Sequence, residues 1–171
     1  TVTVLIDAEE GRTIKDRNLL LGMEKLERHI RRYQDPQEGS IIGNAISILD
    51  IVKESWRAYN GARPSEYRVP PSDAGISDML EMFQNAGPSD LRRLAVSDFS
   101  RTQMTLRVYW LEATAYRRLT EHIEEGIRAF IPPGFRARPT GSVYTLVTTI
   151  EQLLWDLMKS FGVAFVVITI I

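Results

Sequence analysis

Hydrophobic positions along this chain recur with two periods, and the points where one gives way to the other divide it into elements. Val2, Val4 and Ile6 alternate as in a half-buried strand over residues 2–6, and Gly11, Arg12 and Thr13 form the turn that follows. Asp16 suits an N-cap for a helix whose apolar stripe runs Leu19, Met23, Leu26, Ile30 and Tyr33, at spacings of 4, 3, 4 and 3. Asp35, Pro36 and Gly39 end that helix, and residues 41–46 read as a second strand. Ser47 with Asp50 three positions on has the form of a capping box, with Asp where Glu or Gln is usual. The helix it opens places Ile48, Ile51, Val52, Ser55 and Tyr59 on one side. Asn60, Gly61 and Pro64 break it, and the segment Val69-Pro70-Pro71 must be extended. A short helix over 76–85 then carries Ile76, Met79, Leu80 and Phe83 before Gly87-Pro88 stops it. Residues 48–90 thus read as a helical insert.

From Thr102 the period changes to two, with Thr102, Met104, Leu106, Val108 and Trp110 on one face of a half-buried strand. Residues 94–96 read as a shorter strand paired to it through the turn Ser97 to Ser100. Helical spacing returns in Tyr116, Leu119, Ile123, Ile127 and Phe130, and Pro132-Pro133-Gly134 closes that helix before a brief strand at 135–138. Without the insert the order is strand, helix, strand, then strand, helix, strand. That order predicts an α+β domain of the split βαβ, or ferredoxin-like, arrangement over residues 1–141, with two helices on one face of an antiparallel sheet.

Beyond Gly141, Val143, Leu146, Val147, Ile150, Leu153, Leu154, Leu157 and Met158 mark a helix that runs without a breaker into the uncharged stretch Phe161 to Ile171. As a helix those last residues would cover about 16 Å at ~1.5 Å per residue, roughly half of the ~30 Å hydrocarbon core of a bilayer. Residues 142–171 are therefore expected to be a helix leading into a truncated transmembrane segment. The β-branched run from Val163 to Ile171 equally suits a buried terminal strand. Thr1 opens on the apolar alternation with neither an initiator Met nor a signal peptide, which is expected of a piece of a larger membrane protein.

Composition narrows the chemistry. A chain of 171 residues with 44% hydrophobic and 25% charged residues has the make-up of one folded domain. Net charge is -1, and the local basic groups, Arg28, Arg31 and Arg32 or Arg117 and Arg118, sit among acids on helix patterns. They read as solvated faces, and no nucleic-acid partner is expected. Without cysteine there is neither a disulfide framework nor a thiolate metal site. His29 and His122 each lack an i, i+4 histidine partner and read as surface or boundary residues. Adjacent acids such as Glu9-Glu10 and Glu124-Glu125 diverge on a helix, and no Gly-rich phosphate loop occurs. No enzyme, metal or cofactor is expected. The insert instead offers Trp56, Tyr59, Met79, Met82 and Phe83, large adaptable groups that either line a path for a greasy molecule or pack against the sheet.

Several local patterns, taken in order along nearly the whole chain, resemble one periplasmic loop of an exporter of the RND superfamily, of the MMPL or hydrophobe and lipid exporter type. They are Ile14-Lys15-Asp16, Ser47 to Lys53, Tyr67-Arg68-Val69-Pro70, Val96-Ser97-Asp98 and Pro139-Thr140-Gly141. Arg17 departs from the Pro often found after the first Asp, and Lys159-Ser160 from a pattern in which Gln is common. The resemblance implies a proton-driven protein of the bacterial inner membrane, with this domain facing the periplasm and proton-carrying residues elsewhere in the full protein. It implies a hydrophobic or lipid-like substrate and a second periplasmic loop as partner, and Ile51, Ser55, Tyr59, Met79, Met82 and Phe83 are the residues expected to line the substrate path. Two rival readings stand beside it: a docking or oligomerisation module that contacts a periplasmic adaptor or a second copy, and a soluble ligand-binding domain without an anchor.

Overall fold

The computed structural model describes residues 1–86, 91–109, 113–141, 149, 152, 153, 155–162 and 165. In chain order the elements are β1 (Val2–Ala8), α1 (Arg17–Arg31), β2 (Ile42–Ile46), α2 (Ile48–Tyr59), a 3-10 turn (Pro64–Glu66), α3 (Asp73–Ala86), β3 (Arg101–Val108), α4 (Ala113–Phe130) and β4 (Phe135–Thr140). The strands form one antiparallel sheet in the order β2-β3-β1-β4. The first strand of the chain is thus interior, flanked by β3 (Val4 opposite Met104) and by β4 (Val4 opposite Pro139).

Local signals account for where the helices begin. Asp16 accepts from the backbone N–H of Asn18 and Leu19, and Ser47 and Asp50 make both bonds of the capping box. The alternation of β1 puts Val2, Val4 and Ile6 on the covered face with Met104 and Leu106 of β3. Leu19, Leu20, Met23, Leu26 and Ile30 of α1 and Leu119 and Ile123 of α4 join the same core, as do Ile48, Leu49 and Val52 of α2 and Ile76 and Leu80 of α3. Each such fully buried aliphatic side chain stabilises the fold by ~1.5–3 kcal/mol.

Several local expectations are corrected. Strand β2 begins at Ile42, with Ile41 buried just before it. Helix α1 stops at Arg31, because its last carbonyls are capped by the N–H of Arg32, so Tyr33 lies beyond the helix. The strand read at 94–96 is a single bridge, Ala95 to Thr102, since the Thr102 hydroxyl takes the Leu94 carbonyl and the chain then diverges. Leu49 is buried although it lies off the predicted stripe of α2, and Tyr59, on that stripe, is 68% exposed. Among the described residues no helix is long and apolar enough to cross a membrane. Trp110 and the tail from Val163 to Ile171, Phe165 excepted, lie outside the described residues, as do residues 142–148. Residues 155–162 are helical, with Trp155, Leu157, Met158 and Phe161 all exposed.

Two long-range features fix α1 against α4. Gly22 and Gly126 lie where the helices meet: a Cβ at Gly22 would fall 2.4 Å from the Phe130 carbonyl oxygen, and one at Gly126 2.6 Å from the His29 ring. Next to this crossing the rings of His29 and His122 stack with centroids 3.9 Å apart and 11° between planes. Each ring's Nε2 donates to the other residue's backbone carbonyl, at 3.3 and 3.2 Å. A second tie is Asp35, buried after α1, whose two carboxylate oxygens receive Nε and Nη2 of Arg118 on α4, both at 2.9 Å. The Gln37 and Glu38 amides donate to it as well, at 2.9 and 3.1 Å. The Arg118 hydrogen bonds, aided by these amides, outweigh burial and hold the Asp35 carboxyl well below the usual carboxylate range.

Gly22→Ala should destabilise the fold by about 1–3 kcal/mol in urea unfolding despite the better helix propensity of Ala, because backbone must move to admit the methyl. Because the native carboxyl of Asp35 titrates below its unfolded value, its stabilising contribution is complete above about pH 4 and disappears as pH falls further. Asp35→Asn should therefore lower the melting temperature at pH 7 and close most of the gap to the parent chain in strong acid, as followed by circular dichroism.

Candidate functional site

Where β1 ends and β3 begins, the chain from Leu91 to Ser100 folds back beside α3. It is anchored through Phe99, whose carbonyl accepts from the Ile14 amide at 2.9 Å and the Thr13 hydroxyl at 3.2 Å. Phe99 holds a φ of 55°, a left-handed conformation unusual for a bulky residue. Lys15 lies over its ring at 4.4 Å and pairs with Glu81 of α3 at 3.9 Å. Asp98 accepts from both the amide and the hydroxyl of Ser100, and those bonds lower its pKa.

This arrangement leaves a hollow of about 440 Å³, a size common for small-molecule sites. Leu91, Ala95, Val96 and Phe99 supply its apolar wall, and Gln84, Arg92 and Ser97 its polar part. Three of the apolar members are core residues, whereas Val96 is 40% exposed at the mouth. An apolar wall with a guanidinium beside it suits an amphiphile whose tail leaves water and whose head stays near charge. Among the described residues no cluster of histidine and acid side chains could hold a metal ion.

The six side chains expected to line a substrate path do not meet around this hollow. Ser55 and Met79 are buried in the packing of α2 and α3, Ile51 and Phe83 are half-buried against the core, and Tyr59 and Met82 are exposed. Trp56 donates Nε1–H to Glu66 at 3.3 Å and stacks on Tyr59 with centroids 6.3 Å apart. The insert reaches the hollow through Gln84, one residue beyond Phe83. Residues 91–99 were not singled out in the sequence as candidate lining residues because their apolar members follow neither a clean helical nor a strand period. The one available signal was the short pattern Val96-Ser97-Asp98.

The remaining patterned residues hold corners of the fold. Arg17 donates its amide to Asp73 at 2.7 Å and its Nε to the Pro70 carbonyl at 3.0 Å, tying the start of α1 to the start of α3. Tyr67 reaches Asp50 at 3.3 Å beneath the Lys53 ammonium, and burial followed by the Asp50 charge raises its pKa. After α2 the chain turns through Gly61 and Ala62, both left-handed, with φ of 80° and 57°. Ala62→Gly should raise stability by up to ~1 kcal/mol in chemical denaturation, because an L side chain is disfavoured there and Ala62 is exposed.

Comparison with known proteins gives no match to a family model, to a curated protein or to a solved structure.

Proposed function

We propose that this domain is an extracytoplasmic, substrate-handling loop of a proton-driven RND exporter of the MMPL type, acting on hydrophobic or amphiphilic, lipid-like molecules. The observation that carries the reading is the pairing of the first and last strands. Thr3 lies opposite Thr140, and a Cβ on Gly141 would sit 3.3 Å from the Thr1 carbonyl, so the chain enters and leaves the sheet side by side at one end. A domain that hangs between two consecutive membrane helices needs that geometry.

Further support comes from the order β2-β3-β1-β4, which fits a split βαβ, ferredoxin-like porter subdomain in which α1 and α4 are the two crossover helices. Residues 48–86 then stand as a helical insert between β2 and β3. Exposed Trp155, Leu157, Met158 and Phe161 on the helix after β4 are suited to an interface with lipid, where Trp is favoured. In this reading the apolar hollow at Val96, at the end of the sheet away from Thr1, receives the substrate, and a second loop of the same transporter completes the path. Proton-carrying groups belong to membrane helices of the full protein. The exposed side chains of the C-terminal helix also favour a second reading, docking onto a periplasmic adaptor or another copy.

A fluorescent fatty-acyl probe titrated into the 171-residue chain tests the substrate reading. Saturable binding is expected, weakened about tenfold or more by Val96→Glu, the equivalent of ~1.4 kcal/mol. Absence of saturable binding, with the fold intact by circular dichroism, would reject a substrate role. Reversible self-association in sedimentation velocity, without probe binding, would favour the docking module.

A further inference from the structure

Helices α1 and α4 border a second hollow, of about 290 Å³, at the stacked histidines. Lys25, Arg28 and Arg32 rise along one side of it, the His29 and His122 rings form its floor, and Phe130 closes one wall. The three cations fall at i, i+3 and i+7, Arg32 being the residue that caps α1, and so follow one side of the helix to its C-terminal end.

None of the three has an acidic partner among the described residues, and the three line one hollow together. Glu24 and Glu27, the acids of α1, are taken by Lys53 at 2.7 Å and Arg31 at 2.8 Å. On the facing helix Glu121 and Glu124 pair with Arg117 and Arg128 of α4 itself, at 4.0 and 3.9 Å. Among the described residues Lys25, Arg28 and Arg32 have no ion pair or side-chain hydrogen bond. The helix dipole favours cations in the last turn, which accounts for Arg28 and Arg32, but it fades before Lys25. Three like charges in a row weaken a helix unless something negative sits among them.

The floor is rigid. Because a backbone carbonyl only accepts, both Nε2 atoms carry the proton and donate, which locks both rings face to face. Guanidinium groups match tetrahedral oxyanions through paired N–H donors, and Lys adds a mobile point charge.

We propose that this hollow binds a phosphate-type anion, a phosphate ester or diphosphate group, between Lys25, Arg28 and Arg32, with its carbon substituent against Phe130. The site is separate from the hollow at Val96 and does not rest on the exporter reading.

The chain has two histidines and both are in this site, so imidazole NMR signals report it alone. Inorganic pyrophosphate is expected to shift both signals saturably, beyond the effect of sodium chloride at equal ionic strength. The double variant Arg28→Gln with Arg32→Gln should weaken binding about tenfold or more while melting temperature and helicity hold, and Arg138→Gln on the sheet should bind as the parent does. Vesicles of phosphatidic acid in phosphatidylcholine, set against phosphatidylcholine alone, distinguish the source. Shifts and co-sedimentation with the former identify a lipid headgroup, and a response to pyrophosphate alone identifies a soluble phosphate. If neither probe shifts the imidazoles, or the double variant binds undiminished, the proposal fails. Val96→Glu should leave these shifts unchanged, so failure here and failure of acyl-probe binding are separate results.

Discussion

Strand β1 is hydrogen-bonded along both edges, to β3 on one side and β4 on the other, and the rest of the domain is arranged around that constraint. An interior first strand cannot be satisfied until residues about a hundred positions away arrive: Ile6 pairs with Thr102 and with Ala137. Loop closure on that scale is entropically costly and slows folding. The two helices that follow β1 and β3 must then pack on one face, over Val2, Val4 and Ile6. Their close approach is set by Gly22 and Gly126, where any side chain would collide.

Features written within a few residues of one another were legible in the sequence. The Asp16 cap and the Ser47–Asp50 box involve partners three positions away or fewer, and both are made. The stripe Leu19, Met23, Leu26, Ile30 is fully buried because a 3.6-residue period leaves one face for the core. The alternation Thr102, Met104, Leu106 is buried for the analogous reason in a strand. What stayed hidden depends on pairs far apart in the chain. Asp35 and Arg118 are separated by 83 positions, and His29 and His122 by 93. Nothing local to either histidine announces a stacked partner, and each alone reads as an ordinary boundary residue. The places of the six side chains expected to line a substrate path were hidden for a related reason. Residue type singled out Met82 and Tyr59 as adaptable apolar groups, but exposure is decided by which face of α2 and α3 the core occupies.

The two hollows differ in kind. The one at Val96 draws its wall from core residues that run out to the surface, so apolar material placed there extends the core itself. The one between α1 and α4 is bordered on one side by three cations beside a rigid pair of rings. In the two proposals apolar and anionic ligands take separate positions on one scaffold, each held by elements whose packing is fixed elsewhere.

The adjacency of Thr1 and Gly141 also has a mechanical side. Because β1 and β4 run antiparallel and both leave the sheet at the same end, drawing the two flanking segments apart loads the β1–β4 ladder from that end. Tension then falls on one rung at a time, beginning with Thr3 and Thr140, and opens the pair as a zipper opens. The opposite joint, between β1 and β3, lies out of that line of force and would stay closed while the last strand peels.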